Sequence, residues 1–313
     1  MRRQSALDSN KIGIVGVGKV GITAAYTLLV EGLANELVLW GRNLEKTVGE
    51  TLDLQHALPY THEAKITPTS DYKDLANCDV IFFTAGAAQE PGQTRLDLAK
   101  TNLAIVDEMI PKIVKAAPSA VIVMVTNPVD VLTYRAAEVA GLPYGQVFGS
   151  GTTLDTARFR FNLSEALDIS PGSIHAYILG EHGDSSFPVI SSANVGGQPL
   201  TDIEGFSAEM VEQAYLDTRD AAAKIINAKG ATFYGVASAI KKITQTILRD
   251  AKSVLPLTTP LMIDYYGVSG VALSVPCILE RRGIKQVLMA NLDESEQAKF
   301  RHSADVVRAC LEG

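Results

Sequence analysis

The segment Gly16-Val-Gly18-Lys-Val-Gly21 constrains this chain more than any other. It follows an apolar run, Lys11-Ile-Gly-Ile-Val15, and opens a stretch of helical character from Lys19 to Glu31. A turn of this kind uses its first glycine for the tight bend and its second to let backbone approach a pyrophosphate. The third lets helix and strand pack closely. The helix start then offers N–H groups and a positive dipole end to phosphates. The pattern therefore predicts dinucleotide binding; a glycine turn that serves packing alone is the alternative.

The flanking sequence favours the first reading. Glu36-Leu-Val-Leu-Trp40, Asp79-Val-Ile-Phe-Phe83 and Val121-Ile-Val-Met-Val125 are further apolar strand candidates. They alternate with helical stretches at Leu44 to Ala57 and Leu96 to Ala116. Unbroken apolar strands between helices predict a parallel sheet covered on both faces, a Rossmann-type doubly wound α/β unit. The second half alternates less regularly. Short strands are expected at Ile174 to Ile178 and Val189 to Ala193, and helices at Ala208 to Asn227 and Phe233 to Asp250. Later strands are expected at Val254 to Ile263 and Gly270 to Cys277, with a last helix from Glu294 to Leu311. We expect a flexible tail over 1–10, a dinucleotide-binding domain over 11–150 and an α+β catalytic or substrate domain over 151–313. The boundary falls where Gly149-Ser-Gly-Thr152 interrupts the pattern.

Two units suit a chain of 313 residues. The net charge of -7 argues against nucleic acid or an anionic membrane as a partner. No apolar run approaches the roughly 18 residues of a membrane span. The polar Met1 to Asn10 stretch does not read as a signal peptide. Cys78, Cys277 and Cys310 form no paired motif and no metal spacing, so reduced thiols, a cytoplasmic setting and no metal are expected.

About 20 residues beyond the third glycine, an acid normally accepts hydrogen bonds from the adenosine ribose of NAD. Here the second strand ends Trp40-Gly41-Arg42-Asn43. A glycine followed by a cation suits the 2′-phosphate of NADP. Alternatively, Arg42 is a solvated charge and the NAD ribose lacks one partner. Further along, Gly180-Glu-His182-Gly-Asp184 offers a histidine in a loop, and Thr152-Thr-Leu-Asp155-Thr-Ala-Arg158 sets a carboxylate and a guanidinium three apart at a helix start. Asp155 could orient and charge the imidazole, and Arg158 could grip a substrate carboxylate. Gln93-Thr-Arg95 follows a Gly/Pro loop, Ala85 to Gly92, with the look of a mobile lid.

These segments, with Asp53-Leu-Gln-His56, Thr84-Ala-Gly86-Ala87, Pro91-Gly-Gln-Thr-Arg95-Leu-Asp97-Leu and Thr126-Asn-Pro-Val-Asp130, occur in one order. From Lys11 to about Leu311 the chain resembles the L-lactate/L-malate dehydrogenase family, and within it the bacterial L-lactate dehydrogenases. The resemblance implies NAD-linked hydride transfer between a small 2-hydroxy acid and its 2-keto acid. It implies His182 as proton donor and acceptor with Asp155 behind it, Arg158 on the substrate carboxylate and Arg95 polarising the reacting carbonyl. It places Asn127 on the substrate oxygen and near the nicotinamide; cofactor contacts are expected at Gly16, Gly18, Gly21, Thr84 and Gly86, and at Gly41 and Arg42, where the chain departs from the family's acid. Gln89 matches the lid position where malate enzymes carry Arg, and Thr232 matches the second specificity position, so lactate and pyruvate are favoured over malate. Glu90, where bacterial lactate enzymes often carry Lys, is either a solvated loop charge or one that further repels a dicarboxylate. Arg160 and His175 match residues with which regulated relatives bind fructose 1,6-bisphosphate across a subunit interface, and a homotetramer is implied. An NAD-dependent glycosidase would need a metal-binding Cys/His arrangement, which is not found. A dinucleotide sensor would not need His182, Asp155, Arg158 and Arg95 together.

Overall fold

Residues 10–87 and 95–312 are described in a computed structural model. The first half winds through β1 (Lys11–Val15), α1 (Lys19–Val30), β2 (Glu36–Trp40), α2 (Leu44–Ala57), β3 (Lys65–Thr69), β4 (Val80–Phe83), α3 (Arg95–Ala116), β5 (Val121–Met124), α4 (Val129–Ala140) and β6 (Val147–Gly149). Its strands pair in parallel in the order β3-β2-β1-β4-β5-β6. The winding reverses between β1 and β4, and in such sheets ligands bind in the crevice at the carboxyl ends of the strands where the order reverses.

Every residue of β4 is buried, and its side chains alternate between two cores. Val80 and Phe82 join Ile12, Ile14, Leu37 and Leu39 on one face. Ile81 and Phe83 join Val15, Val38, Trp40 and Met124 on the other. A strand with two apolar faces needs helices on both sides, which is why these runs read as continuous rather than alternating.

The second half contributes α5 (Thr153–Leu167), β7 (Ile174–Leu179), β8 (Phe187–Val195), β9 (Gln198–Pro199), α6 (Ala208–Lys229), α7 (Tyr234–Leu248), β10 (Ser253–Pro260), β11 (Ala272–Glu280), β12 (Gly283–Val287) and α8 (Glu294–Glu312). Its strands divide. β7, β8 and β9 form a separate three-stranded sheet. β10, β11 and β12 instead continue the first sheet to nine strands, through an antiparallel pairing of Thr258 with Gly149. The sheet thus runs across the Gly149 to Thr152 interruption, and the two halves share one scaffold.

The observed elements also include β3, β6, β12 and α4, which the sequence pattern does not announce. β3 carries Pro68 and two threonines and lies at the sheet edge, where a missing N–H is tolerated. β6 is only three residues long.

The last helix, α8, is seated by an aromatic cluster. The ring of Phe300 lies 6.4 Å from that of Phe187 and 5.0 Å from that of Tyr265. Phe300 is fully buried. Phe300→Ala should therefore destabilise the fold by about 3–5 kcal/mol, through the lost burial of the ring and the cavity left among Phe187 and Tyr265. Thermal or urea unfolding checks this, and a change below about 1 kcal/mol would mean that the cluster is not packed as described.

Candidate active site

The glycine loop is shaped as its spacing requires. Gly16 sits at φ +113°, where side chains are strained, and a Cβ there would lie 2.6 Å from the Ala85 nitrogen. A Cβ at Gly21 would collide with the Gly16 carbonyl oxygen, whereas one at Gly18 would meet nothing within 4 Å. The closed side of the loop therefore packs on β4 and the open side is free for a ligand. Thr84 Oγ1 secures it from the end of β4, donating to Gly16 O at 2.8 Å. Gly18 caps α1 without any side-chain hydrogen bond, so the first N–H groups of the helix remain available to an anion.

Beside this loop lies a cleft of about 440 Å³. Gly18, Lys19 and Gly21 of the loop line it together with Thr84, Gly86, Asn127, His182 and Thr232. Asn102 braces Asn127. Its carboxamide donates to Asn127 O at 2.8 Å and accepts from Ala87 N at 2.8 Å.

His182 stands in the loop between β7 and β8, and Asp155 in the first turn of α5. His182 Nδ1 and Asp155 Oδ2 are 2.5 Å apart. Arg158, one turn along α5, donates from Nη1 to the other oxygen, Oδ1, at 3.2 Å. Burial alone would raise the Asp155 carboxyl, but the charges and hydrogen bonds of His182 and Arg158 outweigh it and hold it below the usual carboxylate range. Burial alone would lower the His182 imidazole. Asp155, with help from Asp130 and against Arg158, instead raises it to about 9. Near neutral pH the pair is thus an imidazolium on a carboxylate. With Nδ1 engaged, Nε2 is the nitrogen that can give or take a proton.

The sequence matches a model of the lactate/malate dehydrogenase NAD binding domain over residues 10–149 and one of the lactate/malate dehydrogenase alpha/beta C-terminal domain over residues 152–312. The chain belongs to the lactate/malate dehydrogenase family. Among curated relatives, it is 43% identical to an L-lactate dehydrogenase of Thermoanaerobacter sp. (strain X514), covering 97% of this chain and 98% of the relative. It is 41% identical to that of Priestia megaterium, covering 98% of each. Among solved structures, a lactate dehydrogenase from a Medee basin deep-sea metagenome library superposes with a TM-score of 0.94 at 36% identity, covering 97% of this chain and 98% of that one. The minor L-lactate dehydrogenase of Enterococcus mundtii gives 0.93 at 36% identity, with the same coverage.

At the end of β2, where the sequence carries glycine in place of the acid, the backbone is tightly packed. Gly41 is buried, and a Cβ there would collide with Thr47 Oγ1 and lie 2.9 Å from Val17 Cγ2. Thr47, on α2, is pinned by its hydroxyl to Asn43 O at 2.8 Å. It fills the space that an acidic residue's first carbon would need. Arg42 itself is exposed. Trp40 stacks on Tyr72 at 4.6 Å between ring centres, and Lys112 Nζ lies 5.8 Å from the Tyr72 ring centre. The Tyr72 hydroxyl is pushed up to about 12, first by burial and then by Glu108, with Arg42 opposing. Arg42 therefore belongs to a mixed-charge surface together with Glu108 and Lys112.

The dehydrogenase positions implied for an effector are separated in character. Arg160 donates from Nε to Ala176 O at 2.9 Å, and its guanidinium carbon lies 5.2 Å from the Tyr177 ring centre. His175 is exposed on β7. Gln89 and Glu90 lie outside the described residues. Arg95 opens α3, and its side chain is likewise outside the described set. Among the described residues, no group of three or more His, Cys, Asp or Glu could hold a metal ion. No helix among them is long and apolar enough to cross a membrane.

Asn102, Asp130, Thr258 and Ser274 support this site without having been singled out by sequence. Asp130 carries a sequence signal, an acid in the first turn of a helix that follows a strand inside the Thr126-Asn-Pro-Val-Asp130 motif. The two hydroxyls lie in apolar strands, where Thr and Ser carry no functional signal.

The charge state of the pair can be read directly. His182 should titrate at about 9 by NMR of its ring protons. In Asp155→Asn the value should fall to the ordinary histidine range near 6.5 or below, because burial then acts with less opposition. A wild-type value near 6.5 would remove the ion pair.

Proposed function

We propose that this chain is an L-lactate dehydrogenase that reduces pyruvate, and in reverse oxidises L-lactate, with a nicotinamide dinucleotide seated where the sheet winding reverses. The observation that carries this reading is the His182–Asp155 contact of 2.5 Å, with Arg158 on the same carboxylate, where His182 lines the same cleft as the glycine loop. A nicotinamide dinucleotide held by the glycine loop would supply or accept the hydride at the substrate C2. Gly16, Gly18, Gly21, Thr84 and Gly86 form the cradle that binds the dinucleotide. His182 Nε2 gives its proton to the carbonyl oxygen as the alkoxide forms, and Asp155 keeps the imidazole charged and aimed. Arg158 takes the substrate carboxylate by a two-point fork, and Arg95 and Asn127 meet the reacting oxygen. Gln89 offers no charge to a second carboxylate, and Thr232, which lines the cleft, would crowd a larger side chain, so pyruvate is favoured over oxaloacetate. Arg42, exposed beside a glycine in place of an acid, supports use of NADPH as well as NADH.

Absorbance assays with both keto acids and both reduced cofactors test this reading. Pyruvate should give the higher kcat/KM. His182→Ala should lower turnover about 10²–10⁴-fold while dinucleotide affinity is retained. Arg42→Ala should weaken NADPH about 10–100-fold and leave NADH nearly unchanged, the equivalent of one charge-assisted contact. Because Thr47 blocks the site, Gly41→Asp should favour NADH only when combined with Thr47→Ala. Undiminished turnover in His182→Ala would overturn the catalytic assignment, and strict NADH use by the parent would overturn the Arg42 assignment.

We further propose that copies of the chain assemble, as a homotetramer that binds fructose 1,6-bisphosphate. A groove of about 750 Å³ between α5, α6, α7 and β10 is lined by Leu154, Phe161, Ile225 and Val254 together with the charged Arg158, Arg160, Asp217 and Lys242. On α2, Leu44, Val48 and Leu52 form an exposed stripe at helical spacing, 45%, 38% and 50% exposed. A second copy would cover such surfaces, and Arg160 with His175 would then face its symmetry mate. Light scattering should give a multiple of the monomer mass, and Val48→Asp should reduce it. The sugar bisphosphate should lower the pyruvate KM, and this response should vanish in Arg160→Ala. A monomeric parent that ignores the bisphosphate would refute both parts.

A further inference from the structure

One acid beside the site has no part in the reaction as derived above. Asp130, in the first turn of α4, is 2% exposed. Its Oδ2 accepts the backbone N–H of His182 at 2.7 Å, and its Oδ1 accepts the Thr258 hydroxyl at 2.6 Å. Thr258 Oγ1 lies 3.0 Å from Ser274 Oγ, which accepts Thr152 N at 3.1 Å. With Asp130 as a double acceptor the hydroxyls line up, Ser274 donating to Thr258 and Thr258 to Asp130. Thr152 immediately precedes α5, which carries Asp155. One chain of hydrogen bonds thus leads from the backbone of His182, through α4, β10 and β11, to the helix that holds its carboxylate partner.

We propose that Asp130 is a positioning residue for the reaction: it anchors the His182 backbone and places a second negative charge beside the imidazolium, so that the proton donor is held both in place and in its cationic form. This inference rests on His182 being the proton donor. A carboxylate fits the niche because both partners donate, each to a different oxygen, whereas an amide has one acceptor atom. The surrounding groups are His182 and Glu181 from the loop, Thr258 from β10 and Ser274 from β11. From α8, Cys310 borders the same small recess. Burial raises the Asp130 carboxyl, Thr258 and His182 oppose this, and Glu181 adds to it, leaving it at about 6. At neutral pH it is mainly ionised, and its charge adds to that of Asp155 in favouring the imidazolium.

The sign of the effect follows. Pyruvate reduction uses the imidazolium, so kcat/KM falls as pH rises through the imidazole's value. Removing the Asp130 charge lowers the proton affinity of His182 and moves that fall to lower pH. In Asp130→Asn the limb should move down by about one pH unit, with NADH affinity close to the parent's and a lowered melting temperature, because the amide offers only one acceptor to two donors. Asp130→Ser, which also removes the charge and leaves an acceptor for His182 N–H, should move it in the same direction. A limb at the parent's pH in a variant that binds NADH would overturn the proposal, as would failure of both variants to bind NADH, since Asp130 would then be required only for folding. If instead His182→Ala keeps the parent's turnover, the proton-donor assignment fails and the pH limb belongs to another group, an outcome the Asp130 variants alone do not produce.

Discussion

The contact between Asp155 and His182 is the one the rest of the site exists to hold. A carboxylate and an imidazolium taken out of water each lose hydration, and either one alone would change protonation state rather than stay charged. They remain charged because each supplies what the other lost, and because Arg158 occupies the second oxygen of the carboxylate. Such an arrangement tolerates little slack. Accordingly, the loop bearing His182 is tied at several points: by Asp130 at its backbone, by Glu181 to Ser185, and by Ser303 of α8 to the Ser185 carbonyl. Elements distant in sequence converge on a single hydrogen bond.

Much of this is legible in the sequence, for identifiable reasons. β1, β2, β4 and β5 are buried on both faces, so no polar residue interrupts them, and the glycine loop announces where the first one ends. His182, Asp155 and Arg158 stand out because loop glycines and a helix start set them apart, and the structure brings the three into contact. β3 is hidden by its threonines and Pro68. The membership of β10 and β11 is hidden for a different reason. Buried antiparallel strands inside a larger sheet are as uniformly apolar as parallel ones, so their composition does not reveal which sheet they join. Thr258 and Ser274 are invisible as site residues because strands use such residues routinely. What a hydroxyl in a strand does depends on which strand becomes its neighbour.

The end of β2 shows how a local substitution is absorbed. From sequence, glycine in place of an acid looks like a vacancy. In the structure the helix that follows has moved a threonine hydroxyl into it, so Gly41 and Thr47 form one packed unit. The chemical identity of this corner is therefore carried by Arg42 and the Trp40–Tyr72 stack rather than by an empty niche.

The seam between β6 and β10 has a consequence for the order in which the molecule becomes competent. The parallel strands and the glycine loop lie in the first half of the chain and can pair with one another as they emerge. The pairing of Thr258 with Gly149, and with it the hydroxyl chain that reaches Asp130, links residues more than a hundred positions apart. Contacts of that separation form late, because a long loop must close before they contribute any stability. During synthesis, a chain that stops short of Ser274 has the glycine loop but not the hydrogen-bond chain behind His182. Completion of the candidate site is thereby made conditional on the last third of the polypeptide, so an unfinished molecule lacks the assembled site.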